Sequence, residues 1–239
     1  MRLYCPDLPG SPGSIRLGAE EFEYAKNVLR ARPGDKLSLF DGKGRTASGV
    51  IDSVSRKEIA VSVLEISDSQ ERTALEIHFL PAVLKGQKMD FVVQKATELG
   101  VCRIRPLITG RTQVGETRKL DRWRKIALEA ARQCGRSIVP EVEGPVPFGR
   151  YFTEEAGTGI IFWERGGGSL RGLPEGLRGA GRLEVAVGPE GGFSAEEVSL
   201  AARKGFYAAS LGPRILRAET AAVLAIGLVQ FLLGDIGQG

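Results

Sequence analysis

The chain has 239 residues, of which 42% are hydrophobic and 26% charged, a globular composition that excludes wholesale disorder. This length allows two domains at most, and a formal net charge of +4 is by itself a weak indication of an anionic partner. Three widely separated cysteines argue against a disulfide framework and indicate a cytoplasmic protein, while a single histidine and the lack of Cys-x-x-Cys predict no metal site.

The first third of the chain predicts a small β-barrel. Apolar side chains recur at helical spacing over residues 19–30, and Pro33-Gly34 follows the predicted helix. Several short strands and one helix within about 70 residues favour a barrel over residues 1–72. The strands are expected at 37–40, 49–54 and 58–66, and the first leads into the tight-turn pair Asp41-Gly42. The polar stretch 67–73 is expected to be a linker.

After residue 74 the pattern alternates between strands and helices, which predicts an α/β domain with a parallel sheet. Glycine-rich residues 166–181 are expected to form a mobile surface loop, and the apolar stretch 221–233 a buried helix too short to span a bilayer. Strands are expected at 75–80, 101–108, 160–163, 183–187 and 208–211, and further helices at 85–99, at 117–134 and from the capping box Ser194-Ala195-Glu196-Glu197 to Gly205.

The segment Gly188-Pro189-Glu190-Gly191-Gly192 directly follows the apolar strand 183–187. A strand that runs into a glycine-rich turn and a capped helix is a common ligand site in α/β proteins, because glycine lets the backbone approach a ligand closely. The alternative is a plain strand-to-helix turn. The segment matches neither GxxxxGK[ST] nor GxGxxG, which disfavours a P-loop and a dinucleotide fingerprint.

Residues 208–221 repeat this layout, since strand 208–211 runs into Gly212-Pro213 and then into the apolar helix. Arg214, Arg217 and Glu219 are therefore predicted beside the end of a strand and the start of a helix. The simpler alternative is that Arg217 and Glu219 pair with each other. Two glycine-led turns after successive strands are a stronger indication of a site than either turn alone.

The positive charge is concentrated in one segment. Residues 103–136 hold ten basic and three acidic side chains, whereas residues 1–72 hold eleven of each. A solvated helix face is the usual explanation for such charge, and contact with RNA phosphates is the functional alternative. Arg111, Arg132 and Arg136 are the main candidates, because they lie at the ends of predicted elements.

Five segments together resemble the uracil-N3 methyltransferases of small-subunit ribosomal RNA, a family of the SPOUT class. They are NVLRARPGDKLSLFDGKG (27–44), KGQKMDFVVQKATELGV (85–101), EAARQCGR (129–136), VGPEGGFSAEEV (187–198) and LGPRILRAETA (211–221). The last two, in this order and at this spacing, are the most specific, and the resemblance covers nearly the whole chain. Glu23 and Tyr24 stand where the family commonly has histidine, and Gly110-Arg111-Thr112 where it commonly has Glu-Arg-Ser.

The resemblance implies an α/β protein with two domains: a PUA-like RNA-binding β-barrel at 1–72 and a SPOUT methyltransferase domain at 73–239 with a deep C-terminal trefoil knot. It implies S-adenosyl-L-methionine as the cofactor, bound by the knot, and a homodimer with the active site at the interface. The implied substrate is one uridine of 16S rRNA in the small ribosomal subunit, with no membrane association.

The resemblance also assigns residues. Catalytic roles are implied for Arg217, Glu219 and Arg136, and RNA contacts for Arg30, Arg111, Arg132 and Arg136. Cofactor contacts are implied from the loop after strand 160–163, the turn 188–192 and the loop 211–221, namely from Phe162, Gly188, Glu190, Gly191, Gly192, Leu211, Gly212, Ile215, Leu216, Thr220 and Ala221.

The implied reaction requires uracil N3 to lose its proton and to lie in line with the sulfonium methyl group. A guanidinium from Arg217, Arg136 or Arg111 could stabilise the negative charge on O2–N3–O4. Glu219 is either the base or the group that orients Arg217, and loss of the proton to water is a third route. Two other functions stay open: a non-catalytic rRNA-binding or assembly factor, and a SPOUT methyltransferase for another RNA.

Overall fold

The computed structural model describes residues 1–27, 29–55, 58–68, 75–113 and 119–237, so most of the predicted linker and the predicted start of the helix at 117 lie outside the described residues. The chain forms two compact units. One consists of Met1–Arg72 and Ala131–Val139, and the other of Thr73–Ala130 and Pro140–Gly239. The first unit therefore includes a segment around residue 135 that the sequence predicts in the second domain.

The first unit contains a five-stranded sheet and one helix, α1 (Ala19–Asn27). The strand order is β1-β3-β4-β5-β2, with β1 parallel to β3 and the other neighbours antiparallel. Alternate side chains of the long strands point into one apolar core, as the period of two predicts. The strands are β1 (Arg2–Tyr4), β2 (Gly13–Leu17), β3 (Lys36–Phe40), β4 (Arg45–Val54) and β5 (Ile59–Asp68).

The predicted turn at Asp41-Gly42 is confirmed. Asp41 is buried, and its Oδ1 accepts hydrogen bonds from the amides of Lys43 (2.7 Å) and Arg45 (2.9 Å). Gly42 has a φ of 77°, a left-handed conformation that favours glycine. The first two strands were not predicted, because they are short and the second begins in a stretch rich in glycine, serine and proline.

The second unit is built on a six-stranded parallel sheet with the order β13-β11-β12-β6-β7-β9. A separate pair of two-residue parallel strands, β8 and β10, lies beside it. In chain order the elements are β6 (Glu76–Pro81), α2 (Lys88–Glu98), β7 (Arg103–Ile104), β8 (Leu107–Ile108), α3 (Leu120–Cys134), β9 (Glu141–Val142), β10 (Val146–Pro147), α4 (Phe148–Glu154), β11 (Gly159–Phe162), α5 (Glu175–Arg178), β12 (Arg182–Val187), α6 (Ala195–Arg203), β13 (Tyr207–Ala209) and α7 (Ala218–Leu233).

The register of the central strands creates one edge where several strands end together. Phe162 at the end of β11 lies opposite Val187 of β12 and Ala209 of β13. All but the first residue of β12 are buried, as expected for a parallel strand covered on both faces. The loops that leave β11, β12 and β13 consequently start next to one another.

One prediction about this unit is wrong: residues 101–108 form two short strands in different sheets instead of one strand, with Arg105-Pro106 between them. The glycine-rich segment 166–181 lies mostly at the surface, as predicted, but it is anchored to the domain: Gly168 forms a β-bridge with Ala209, and Leu170, Leu173 and Leu177 are buried. A side chain at Gly167 would overlap the backbone of Ala209, so this glycine permits close packing of the segment against β13.

The apolar helix α7 is buried on one face only. Ala222, Ala225, Ile226 and Val229 are buried, and Gln230 Nε2 donates a hydrogen bond to Leu99 O at 2.9 Å. On another face Leu224, Phe231 and Leu232 are 38%, 60% and 40% exposed, so the prediction of a buried helix holds for one face only. Among the described residues no helix has the length and apolar character needed to cross a membrane.

Candidate functional site

A cavity of about 410 Å³ lies in the second unit, where β11 and β12 end. Its volume is in the usual range for small-molecule pockets, roughly 300–1,000 Å³. Its walls come from residues 162–165, 187–192 and 211–221, because the parallel register brings these three loops together. The lining residues are Phe162, Trp163, Glu164, Arg165, Val187, Gly188, Pro189, Glu190, Gly191, Gly192, Leu211, Gly212, Arg214, Ile215, Leu216, Ala218 and Ala221.

The cavity brings together all but one of the residues predicted to contact a cofactor. The exception is Thr220, which is exposed on α7 and is not part of the lining. Trp163, Glu164 and Arg165, which follow directly on Phe162, also line the cavity. The sequence analysis placed a cofactor wall in the loop after strand 160–163 but did not name these three residues.

The 188–192 turn is tight. The Gly192 amide donates a hydrogen bond to Pro189 O at 2.9 Å, and Gly192 has a φ of 68°. A Cβ atom on Gly192 would lie 2.8 Å from Glu164 Oε2, and one on Gly188 would lie 3.1 Å from the carbonyl carbon of Gly192. The left-handed φ therefore favours glycine at 192, and the close approach of the Gly192 backbone favours glycine at 188. Helix α6 starts right after it with the predicted capping box of Ser194 and Glu197.

Arg111 holds this turn from outside. Its Nη1 donates hydrogen bonds to Gly191 O at 2.7 Å and to Phe193 O at 3.4 Å. The neighbouring amide of Gly110 donates to Glu197 Oε1 at 2.8 Å. The contact of Arg111 with RNA stays a prediction, and the structure adds a role in holding the backbone of a cavity wall.

Lys88, at the start of α2, was not singled out in the sequence. Its Nζ lies 2.9 Å from Glu190 Oε1 and 3.5 Å from Glu219 Oε2. The hydrogen bond that Lys88 donates to the Glu190 carboxylate raises the pKa of Lys88 above its usual value. Within the described residues no ion pair joins Arg217 to Glu219, so the simpler alternative that these two pair with each other is wrong: Glu219 pairs with Lys88.

Arg217 is exposed and occupies the N-cap position of α7, where its carbonyl oxygen accepts a hydrogen bond from the Ala221 amide at 2.8 Å. Its chain neighbours Leu216 and Ala218 both line the cavity. In the part of the chain that the structure describes, the Arg217 guanidinium makes no hydrogen bond or ion pair. It is therefore available to a ligand at the rim.

The three other arginines predicted to bind RNA lie in the first unit and do not line the cavity. Arg30 is exposed, and Arg136 is half-buried. Arg132 is buried, since its Nη2 pairs with Glu21 Oε1 at 2.7 Å and its guanidinium lies 3.9 Å above the ring of Tyr24. A buried and paired guanidinium cannot reach a phosphate, so we do not propose that Arg132 contacts RNA.

The basic segment 103–136 is largely compensated by acidic side chains, most of them outside it. Arg122 lies 2.9 Å from Asp90, and Arg103 and Arg105 both pair with Glu143. Arg118 lies outside the described residues. The net charge of the segment therefore overstates the positive surface that is available to RNA. Further pairs are Arg103–Glu141, Arg105–Glu155 and Arg124–Asp121.

Comparison with known proteins gives consistent matches over nearly the whole chain. A family model described as an RNA methyltransferase domain matches residues 71–230, and one described as an RNA methyltransferase PUA domain matches residues 17–64. Curated relatives called ribosomal RNA small subunit methyltransferase E are 31% identical in Buchnera aphidicola, over 92% of this chain and 88% of the relative, and 32% identical in Synechocystis sp., over 92% and 74%.

Two solved structures are similar over 98% of both chains. One is a ribosomal RNA small subunit methyltransferase E from Neisseria gonorrhoeae bound to S-adenosyl methionine, with a TM-score of 0.91 and 32% identity. The other is a methyltransferase from Legionella pneumophila in complex with the cofactor SAM, with a TM-score of 0.90 and 34% identity.

Proposed function

The chain belongs to the RNA methyltransferase family, and we propose that it methylates N3 of one uridine in the 16S rRNA of the small ribosomal subunit. It is an S-adenosylmethionine-dependent rRNA methyltransferase, in keeping with relatives of that name and with related structures that hold this cofactor. The observation that carries the proposal is the cavity where the 188–192 turn and the 211–221 segment meet.

The residues of the cavity fit S-adenosylmethionine. Phe162, Leu211 and Leu216 supply apolar surface for an adenine ring, and Gly188 and Gly192 leave backbone space that a Cβ atom would fill. Carboxylates and guanidinium groups in the lining complement the ammonium and carboxylate of the methionine part. We assign cofactor binding to the lining residues, and we leave the role of Thr220 as a prediction because its side chain is on the exposed face of α7.

The reaction requires the chain to stabilise the negative charge that develops on the uracil ring when N3 loses its proton. When bound, the cofactor supplies a sulfonium methyl group, which bonds to N3 as the carbon–sulfur bond breaks and the N3 proton is lost. The exposed Arg217 guanidinium stabilises the negative charge on O2–N3–O4, which lowers the effective pKa of N3–H. The proton then leaves to water, because Glu219 is already engaged by Lys88. The target base must be single-stranded or flipped out to reach the rim.

Arg136 is proposed as a second guanidinium for the substrate, and Arg30 and Arg111 as contacts with RNA phosphates. Arg30 and Arg136 belong to the first unit, which we propose to be a PUA-like barrel that binds RNA. The five-stranded mixed sheet with its own apolar core supports this assignment. The domains are proposed to be 1–72 and 73–239, and residues 131–139 of the second, which include Arg136, belong to the first compact unit.

We also propose a C-terminal trefoil knot. β13 lies at the edge of the sheet next to β11, yet the next helix, α7, packs against α2 and β12. The 211–217 segment must therefore run back past the loops that follow β11 and β12. That course supports a threaded chain, which is rare among protein folds.

A homodimer in the cytoplasm is proposed as the working form. Helices α2 and α7 pack against each other, and both expose large apolar side chains, Phe91 on α2 and Leu224, Phe231 and Leu232 on α7. Exposed apolar surface of this kind is typical of an interface, and a self-complementary patch gives a two-fold dimer.

The proposal is tested by incubating the purified chain with methyl-labelled S-adenosylmethionine and small subunits that lack the modification. Label should enter 16S rRNA with the wild-type chain and about 10²- to 10³-fold more slowly with Arg217→Ala at equal cofactor occupancy. Cofactor binding without label in RNA would favour the non-catalytic alternative and overturn the proposal. Label in another RNA would overturn the choice of substrate.

A further inference from the structure

Lys88 joins two parts of the cavity wall that are far apart in the sequence. Its Nζ lies 2.9 Å from Glu190 Oε1 in the 188–192 turn and 3.5 Å from Glu219 Oε2 in the first turn of α7. Glu190 lines the cavity, and Glu219 follows Ala218, which also lines it. We call these three side chains the Lys88 bridge.

The charges of the bridge depend on Lys88. Glu219 Oε2 is buried and has no hydrogen-bond partner within the described residues, so the nearby ammonium compensates its charge. Burial works against ionisation of Glu190, but the hydrogen bond from Lys88, backbone donors and the charge of Lys88 together hold its pKa below the usual value. Without Lys88, two carboxylates on the same wall would repel each other.

The bridge ties the two wall segments to a fixed element. On α2 the neighbouring side chains Met89, Val92 and Val93 are buried, which fixes the helix in the core. The start of α7 follows an exposed segment that includes Ile215, which is 92% exposed, and the 188–192 turn is itself exposed at Glu190 and Gly191. A cation on the fixed helix is therefore well placed to set the distance between the two wall segments.

We propose that Lys88 is a positioning residue that holds the 188–192 turn and the start of α7 at the separation that the cofactor needs. This inference rests on the proposed function for its consequence, namely cofactor affinity, but the separation of the two segments can be measured without cofactor. Lys88 acts through Glu190 and Glu219, and it has no assigned part in the transfer of the methyl group.

The test compares Lys88→Met, which removes the charge, with Lys88→Arg, which keeps it. Lys85→Met is the matched control, because Lys85 is three residues away and exposed, and the change leaves its backbone in place. Hydrogen–deuterium exchange of the ligand-free proteins should be faster over 188–192 and 218–221 in Lys88→Met only. The wild type, Lys88→Arg and Lys85→Met should exchange alike.

Cofactor affinity is the second readout. By calorimetry the Kd of S-adenosylmethionine should rise about fivefold in Lys88→Met, the scale expected for losing partly exposed ion pairs, and Lys88→Arg should restore most of it. KM for the cofactor should rise with Kd, while kcat at saturating cofactor stays within about twofold, because the bridge does not touch the reacting atoms. High salt should weaken binding to the wild type more than to Lys88→Met.

The outcomes separate the two proposals. Equal exchange and equal affinity in Lys88→Met and Lys85→Met would overturn the positioning role. A lower melting temperature without a local change in exchange or affinity would also overturn it, since that is a purely structural effect. If the wild type itself does not bind S-adenosylmethionine, the proposed function fails, and the exchange comparison still decides whether Lys88 positions the wall.

Discussion

Replacing Gly192 with alanine should weaken cofactor binding, because the 188–192 turn requires a left-handed residue at this position. Gly192 has a φ of 68°, and an L-residue in that conformation costs about 1–2 kcal/mol. The added Cβ would also lie 2.8 Å from Glu164 Oε2. Glu164 ends in a flexible, partly exposed carboxylate that can move aside, so the backbone term is the larger of the two.

The backbone strain of alanine at position 192 lowers cofactor affinity only if the free protein can relieve that strain and the bound protein cannot. We expect the turn to relax in the ligand-free variant and cofactor binding to require the shape seen here. The alanine variant should therefore bind S-adenosylmethionine about 5- to 30-fold more weakly, which corresponds to one to two kcal/mol. Isothermal titration calorimetry on wild type and variant measures this directly.

Gly176→Ala is the matched control, since it adds the same methyl group in α5, where nothing lies within 4 Å and φ is not positive. Its cofactor affinity should equal that of the wild type, with stability unchanged or slightly higher. Wild-type affinity in Gly192→Ala, with the variant folded, would refute the reasoning that the shape of this turn determines cofactor binding.

Three further predictions concern other parts of the chain. Arg217→Ala should lower kcat about 10²- to 10³-fold with cofactor affinity and melting temperature unchanged, because only charge stabilisation in the transition state is lost; normal turnover would remove the assigned role. His78 should titrate below pH 6.5 by NMR, since burial and then the charges of Arg182 and Arg103 lower its pKa. Its contribution to stability is then complete above pH 6.5 and is lost as the pH falls toward the folded-state pKa, and a midpoint at or above 6.5 would contradict this. Phe231→Glu should convert a dimer to a monomer in light scattering, because Phe231 is 60% exposed on the apolar face of α7; an unchanged mass would place the interface elsewhere.

Features that depend on neighbouring residues could be predicted from the sequence. The buried strand before Gly188, the glycine turn and the Ser194 capping box are confirmed because each is specified within about ten residues. The parallel sheet then brings the predicted cofactor loops to one edge, since the ends of adjacent parallel strands coincide. Local patterns and one topological rule thus predict a site at the 188–192 and 211–221 turns, whereas the third wall, after strand 160–163, was implied by the family resemblance.

Features that depend on distant partners could not be predicted. Lys88 meets a glutamate 102 residues away, and Arg132 meets one 111 residues away, and no local pattern marks either contact. The basic segment was misleading for the same reason, because Asp90 and Glu143, which compensate much of it, lie outside the window in which the charge was counted. Charge counted along the chain does not give the charge at the surface when long side chains pair across elements.

The central claim is that this chain methylates N3 of a uridine in 16S rRNA. The most direct measurement is nucleoside mass spectrometry of 16S rRNA from unmodified small subunits treated with the chain and S-adenosylmethionine, followed by mapping of the modified nucleotide. The account predicts one mole of 3-methyluridine per mole of 16S rRNA, at a single position, and formation about 10²- to 10³-fold slower with Arg217→Ala. A methyl group on another atom or another nucleotide, or no methyl group at all, would contradict it.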